Sequence, residues 1–105
     1  MAITQTDDLG RLQSQLVPGK KTLAMFHASW CPDCHAFKPI WDTYLREGHK
    51  FDQILEVQID ENENPIWDSF NVTVVPTVIL FDGKKELKRF ETNGKHIHMS
   101  DLKSL

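Results

Sequence analysis

The sequence has few of the features that assign a protein to a membrane, to nucleic acid or to a disulfide-stapled scaffold. No apolar run approaches the roughly 18 residues that a membrane-spanning helix needs. The net charge is −3 and no long run of like charges occurs, which argues against nucleic acid or a membrane surface as partner. The first eight residues, MAITQTDD, contain neither a basic segment nor an apolar core, so no secretory signal is expected. We therefore expect a cytoplasmic protein, or an extracytoplasmic one if a leader has been removed.

Cysteine is scarce, and its spacing is informative. With 105 residues and a hydrophobic fraction of 40%, residues 1–105 are expected to form one globular domain and a monomer. The only two cysteines are Cys31 and Cys34. A disulfide between them would close so short a loop that it restricts the unfolded chain by only about 2 kcal/mol. The pair therefore indicates redox chemistry, a metal or an attached cofactor rather than a structural staple.

Apolar periodicity predicts helices that alternate with strands. The predicted elements are a helix capped by Asp7 or Asp8, a strand over 22–28, a helix over about 32–47, a strand over 53–59, a short helix after Pro65, strands over 77–81 and 86–92 joined at Asp82-Gly83, and a last helix near Ser100. An alternating order that ends in a hairpin predicts a mixed β-sheet between helices. Pro39, inside the second helix, is expected to kink it.

Residues 30–35 read Trp-Cys-Pro-Asp-Cys-His and lie where the first predicted strand meets the second helix. If Cys31 is the N-cap of that helix, its sulfur accepts hydrogen bonds from first-turn amides and its thiolate meets the positive end of the helix dipole. Pro32 then occupies the first helical position, where an amide hydrogen is not needed. These features predict Cys31 as the attacking nucleophile and Cys34, one turn inward, as the resolving cysteine.

Two neighbours of the cysteines carry charge or can acquire it. The Asp33 carboxylate disfavours a nearby thiolate. We therefore expect a milder nucleophile and a more reducing couple than the helix dipole alone would give. His35 is expected to be exposed and to modulate the thiols through its charge.

Two other kinds of site compete for the same residues. Residues 31–35 satisfy the C-x-x-C-H signature of c-type haem attachment, with His35 as one axial ligand. That site would need an exported chain and a second axial ligand such as Met99. Zinc held by Cys31 and Cys34 with His96 and His98 is the other alternative, although the two-residue histidine spacing is shorter than zinc fingers use. We favour neither, and expect no bound metal or haem.

Five segments match one protein family in order along nearly the whole chain. They are Ala-Ser-Trp-Cys-Pro-Asp-Cys at 28–34, Pro39, Gln-Ile-Asp-Glu-Asn at 58–62, Val-Val-Pro-Thr at 74–77 and Phe-Asp-Gly-Lys at 81–84. On these segments the chain resembles the thioredoxins. The resemblance implies an α/β thioredoxin-like fold, in which helices flank both faces of a central mixed sheet. It also implies a thiol–disulfide oxidoreductase that acts on disulfide-containing proteins without a bound cofactor, with electrons from an external reductase or dithiol donor.

The resemblance further implies where a substrate binds. Val75-Pro76 would be a cis peptide bond facing the cysteines. Trp30 and the Val75 backbone would border a groove in which an extended substrate pairs in β fashion. The glycine that the family has in the facing loop is replaced by Glu91 or Thr92, which puts docking on the family's usual partners in question.

One family feature is missing. The buried aspartate of the thioredoxins, which is thought to help deprotonate the resolving cysteine, is Met25 in this sequence. Glu56 is our candidate for a substitute base, if burial raises its pKa; the alternative is a surface glutamate on a sheet edge. We expect His27 to be a packed neighbour of the site rather than a proton shuttle. The alternative function is a binding module that keeps the fold and makes little use of its cysteines.

Overall fold

The computed structural model of the protein describes residues 3–92 and 94–105. In chain order the elements are β1 (Ile3–Thr6), α1 (Leu9–Gln15), β2 (Lys21–His27), α2 (Pro32–Arg46), β3 (Gln53–Gln58), α3 (Ile66–Ser69), β4 (Thr77–Asp82), β5 (Lys85–Glu91) and α4 (Met99–Lys103). Met1 and Ala2, which begin the segment searched for a secretory signal, lie outside the described residues.

Most predicted elements are present, but the first strand was missed. From α1 onward, each helix and strand occurs within one or two residues of its predicted position. The expectation that a helix comes first was wrong, because β1 precedes α1. Its only apolar residue, Ile3, is exposed, and its only buried residue is the polar Thr6, so β1 has no apolar alternation from which a strand could be predicted. Asp8 rather than Asp7 caps α1, since its carboxylate accepts from the Arg11 amide at 2.9 Å.

The five strands form one mixed sheet in the order β1-β3-β2-β4-β5. Strands β1, β3 and β2 run parallel to one another. Strand β4 runs antiparallel to β2, and β5 runs antiparallel to β4. The two central strands β2 and β3 therefore end at the same edge of the sheet as β1. The described residues contain no helix long and apolar enough to cross a membrane.

Helices cover both faces of the sheet. Because side chains alternate along a strand, Ala24 and Phe26 of β2 join the cluster that includes α1 and α3 residues, whereas Leu23 and Met25 join the cluster that includes α2 and α4 residues. Trp41 of α2 is fully buried in the second cluster. A central strand buried on both faces reads as a continuous apolar run, which is how β2 appears in the sequence.

Two glycines lie where elements end or turn, and one proline lies inside a helix. Gly48 follows the end of α2 at φ +99°, and Gly83 turns the β4–β5 hairpin at φ +59°; both angles favour a residue without Cβ. A Cβ on Gly83 would also lie 3.3 Å from the Pro18 Cα. Pro39 lies inside α2 without ending it, and the kink stays a prediction.

Candidate active site

The end of β2 and the beginning of α2 position the two cysteines. Cys31 is the N-cap of α2, with extended backbone angles, and its Sγ accepts from the Cys34 amide at 3.0 Å. Pro32 occupies the first helical turn. The Cys31 amide in turn donates to the Ala28 carbonyl at 3.3 Å. A sulfur anion formed on Cys31 would therefore meet a first-turn amide and the positive end of a 15-residue helix.

No disulfide links the two cysteines, and both are buried, with only 4% of Cys31 and 7% of Cys34 exposed. Burial raises the pKa of Cys34 to about 12, and the hydrogen bond with Cys31 and the nearby Asp33 charge contribute to the increase. Cys34 is thus protonated at neutral pH. Asp33 itself is exposed in the first turn of α2.

The segment before β4 faces the cysteines. The Val75–Pro76 peptide bond is cis, and the Cys31 thiol donates to the Val75 carbonyl at 3.4 Å. The Thr77 hydroxyl donates to the Val74 carbonyl at 2.7 Å. The Val75 carbonyl therefore lies within hydrogen-bond reach of the Cys31 sulfur.

The two candidates for the missing family glycine have different positions. The Thr92 Oγ1 lies 3.4 Å from the Val75 carbonyl and 3.3 Å from the Pro76 carbonyl. The Glu91 carboxylate, by contrast, accepts from Arg89 at 3.1 Å. The Thr92 side chain thus contacts the segment facing the cysteines.

A hydrogen-bonded loop holds Trp30 beside Cys31. Trp30 is 55% exposed, and its indole nitrogen donates to the Asp60 carbonyl at 2.8 Å. The Asp60 carboxylate accepts from the Ser29 amide and hydroxyl, each at 2.7 Å, and from the Gln58 side chain at 2.9 Å. These bonds lower the pKa of Asp60. The loop that carries Trp30 is therefore tied to the end of β3.

His35 belongs to the same loop network. It is exposed, as expected, and its Nε2 donates to the Ser29 carbonyl at 2.8 Å. Sequence reasoning missed Ser29 and Asp60 as supports of this loop. The available signal was an aspartate placed directly after a buried strand, within the 58–62 segment of the family resemblance.

Glu56 is buried, not a surface residue on a sheet edge, because β1 lies beside β3. Its Oε2 accepts from the Trp41 indole at 2.8 Å, and its Oε1 accepts from the Gln5 amide at 3.1 Å. The Lys38 ammonium lies 3.6 Å from Oε2. In the parallel register Glu56 is opposite Met25. The carboxylate therefore lies on the strand next to the position where the family resemblance would place an aspartate.

His27 ends β2 and lines a polar pocket with Lys38 and Glu56. Burial lowers the pKa of His27, an effect opposed by the Glu56 charge and reinforced by the Lys38 charge. His96 and His98 are exposed. Within residues 3–92 and 94–105, no three or more His, Cys, Asp or Glu side chains gather as a metal site would require.

Comparison with known proteins gives the same family along the chain. The family model described as Thioredoxin matches residues 6–103. The thioredoxin of Alicyclobacillus acidocaldarius subsp. acidocaldarius is 31% identical over 88 residues, which cover 83% of this chain and 80% of that protein. The bifunctional thioredoxin reductase/thioredoxin of Mycobacterium leprae is 32% identical over 89 residues, which cover 83% of this chain and 19% of that protein. The chain thus spans most of the first relative and about a fifth of the second.

Solved structures agree on the fold. The X-ray structure of Fasciola hepatica thioredoxin superimposes with a TM-score of 0.71 at 25% identity, covering 99% of this chain and 94% of that one. The thioredoxin-like fold, a mixed sheet with helices on both faces, is therefore confirmed, although its first strand was not predicted.

Proposed function

The chain belongs to the thioredoxin family, whose members are disulfide oxidoreductases, and from this premise we propose that it reduces disulfides in protein substrates through Cys31 and Cys34. The observation that carries the proposal is the position of Cys31 at the N-cap of α2. Its Sγ accepts from the Cys34 amide at 3.0 Å. That amide and the helix dipole stabilise a thiolate, which is the nucleophile in disulfide exchange.

The reaction begins when the Cys31 thiolate attacks one sulfur of the substrate disulfide. A bond forms between Cys31 and that sulfur, and the other substrate sulfur leaves as a thiolate. Before the attack, the Cys31 thiol donates to the Val75 carbonyl. Loss of the thiol proton frees this carbonyl to accept from a main-chain amide of an extended substrate, as β-type pairing requires.

The second step is the attack of Cys34 on Cys31. It forms the Cys31–Cys34 disulfide and releases the second substrate thiolate, so the substrate gains the two electrons that the dithiol loses. In the free dithiol, burial and the contact with Cys31 hold the pKa of Cys34 at about 12. In the mixed disulfide, Cys31 carries no charge and no longer contributes to that increase. Cys34 therefore becomes easier to deprotonate when its attack is needed.

The oxidised pair must then be reduced again. We propose that an external reductase or dithiol donor supplies the electrons and that no bound cofactor takes part. The Mycobacterium leprae relative, a bifunctional thioredoxin reductase/thioredoxin, supports a reductase as donor.

We retain Glu56 as the candidate base for Cys34. Its buried carboxylate lies on the strand beside Met25, beneath α2. A positioned general base contributes about a hundredfold or more to a proton-transfer step. We predict that Glu56→Gln slows release of the second product at least about tenfold, so that the mixed disulfide accumulates in quenched-flow samples analysed by mass spectrometry.

Glutamine still offers an oxygen to the Trp41 indole, so the variant is expected to fold. Cys31 attack, followed as release of the first product, serves as the internal control because it does not require the base. Equal rates of the second step in Glu56→Gln and the wild type would exclude this role.

The function itself is tested by insulin reduction with dithiothreitol as donor. The wild type is expected to accelerate precipitation of the reduced insulin chains, and Cys31→Ser to abolish the acceleration. Cys34→Ser is expected to trap a mixed disulfide through Cys31. Absence of activity in the wild type, together with partner binding by Cys31→Ser, would instead identify a binding module.

A further inference from the structure

An apolar groove beside the cysteine pair is not used by the reaction described above. It has a volume of about 280 Å³ and lies between α2 and the segment that follows β5. Its apolar walls are Ala36, Phe37 and Ile40 of α2, together with Pro76 and Ile97. Phe37, Pro76 and Ile97 are buried, while Ala36 is exposed. The groove therefore has an apolar floor that is open to solvent from the α2 side.

The charged and titratable groups of the groove lie at its rim. Asp33, His96 and His98 line it and are exposed. The rim thus combines an acidic side chain with two histidines and does not select one sign of charge. An unpaired carboxylate placed on the apolar floor would lose its hydration without gaining a partner. An apolar side chain is the occupant that suits the floor.

The groove is continuous with the place where a substrate must lie. Pro76 and Thr92 line it, and Thr92 also contacts the Val75 carbonyl, which accepts from the Cys31 thiol. A substrate chain paired with Val75 rises about 3.3 Å per residue. A side chain one or two residues from the attacked cysteine lies about 3–7 Å along the substrate from it, and Pro76 and Thr92 connect that stretch of substrate to the groove.

We propose that this groove is a substrate subsite for a leucine-sized or phenylalanine-sized apolar side chain within two residues of the attacked cysteine. The inference rests on the proposed function and names the substrate class: protein disulfides with a bulky apolar neighbour in an extended segment. Partial burial of such a side chain in an open groove raises the rate of attack by about fivefold relative to a polar side chain of similar size.

The test uses single-turnover reduction of eight peptides, each carrying one cysteine in a mixed disulfide with thionitrobenzoate. Leucine or asparagine occupies one of the two positions before or the two positions after that cysteine. The pre-reduced protein releases coloured thionitrobenzoate, which gives the second-order rate constant for each peptide. Leucine is expected to react about fivefold faster than asparagine at one of the four positions.

Two helix-surface variants locate the effect. Ala36→Gln places a longer polar side chain in the groove from an exposed position, and is expected to bring the leucine-to-asparagine ratio to about one. Arg46→Gln, at the exposed far end of α2, is the matched control and is expected to keep the ratio. Ellman's reagent, which has no peptide neighbours, is the reference substrate.

The outcomes separate the two proposals. A ratio near one at all four positions in the wild type, with normal reduction of Ellman's reagent, would overturn the subsite and leave the oxidoreductase intact. A preference that survives in Ala36→Gln would place the selectivity outside this groove and overturn the subsite too. Failure to reduce Ellman's reagent would overturn both the function and the subsite.

Discussion

Asp33 is the residue whose charge most directly opposes thiolate formation within the motif. It is exposed in the first turn of α2, and its carboxylate adds to the raised pKa of Cys34, after burial and the contact with Cys31. The same helix position favours a carboxylate because of the helix dipole. The residue therefore stabilises the helix while contributing to the raised pKa of Cys34.

We predict that Asp33→Asn raises the reduction potential of the Cys31–Cys34 couple. Because Cys34 stays protonated at neutral pH, the effect acts through a thiolate on Cys31. Removing the Asp33 charge stabilises that thiolate and hence the reduced protein, by at most about 15 mV for each half unit by which the thiol pKa falls. The measurement is equilibration with glutathione buffers followed by thiol alkylation. Asp68→Asn, on α3, is the control. An unchanged potential, with an unchanged Cys31 pKa, would show that solvent screens the Asp33 charge.

The two cysteine sulfurs are also expected to differ strongly in their rates of alkylation. A thiol with a pKa of about 12 is about one part in ten thousand thiolate at pH 8, and only the thiolate reacts. We predict that iodoacetamide at pH 8 modifies Cys31 and leaves Cys34 free. Peptide mass spectrometry locates the adduct, and raising the pH toward 11 is expected to make Cys34 react as well. Early modification of Cys34 would contradict its assignment as the resolving cysteine.

At the scale of elements, the residue pattern within a segment predicted the helices and strands that depend on that segment alone. The apolar run from 22 to 28 and the apolar stripe of α2 predicted those two elements to within a residue, and Pro32 beside Cys31 indicated the N-cap. What remained unpredicted depends on contacts between distant segments. The burial of Glu56 could not be predicted because it depends on β1, which pairs with β3. The choice between Glu91 and Thr92 depends on how the end of β5 packs against the cis-proline segment.

The pairing of α2 with β3 yields a prediction at this scale. The Trp41 indole, fully buried, donates to the Glu56 carboxylate, and a hydrogen bond to a charged group contributes about 1.5–3 kcal/mol. Trp41→Phe is expected to lower the free energy of unfolding by at least about 2 kcal/mol, measured by urea denaturation. Trp67→Phe is the matched control, because its half-buried indole donates to the Glu61 carbonyl near solvent. Equal losses in the two variants would mean that the Glu56 bond contributes nothing beyond packing.

At the scale of the whole molecule, polar groups gather where the parallel strands β1, β3 and β2 end. His27 and Glu56 line one pocket there with Lys38, and Asp60 follows β3. Burial lowers the pKa of His27 from 6.5; the Lys38 and His35 charges act in the same direction, while Glu56 and Asp60 oppose it. The neutral form of His27 is thus part of the native state, and global stability depends on pH through it.

The direction of that dependence follows from proton binding. Below pH 6.5 the unfolded chain protonates His27 while the folded chain does not, so the free energy of unfolding falls as the pH falls toward the lowered pKa. We predict that His27→Phe, which cannot protonate, loses less stability than the wild type between pH 7.5 and pH 5.5. Urea denaturation at both pH values gives the two differences.

The control for this prediction is His96→Gln, since His96 is exposed on the segment before α4. That variant is expected to lose as much stability on acidification as the wild type, because the native fold does not bury His96. Acidic residues titrate in the wild type and both variants alike, so their contribution cancels in the comparison. If His27→Phe and the wild type lost equal stability, protonated His27 would be accommodated beside Glu56 and Asp60, and their attraction would balance the effect of burial.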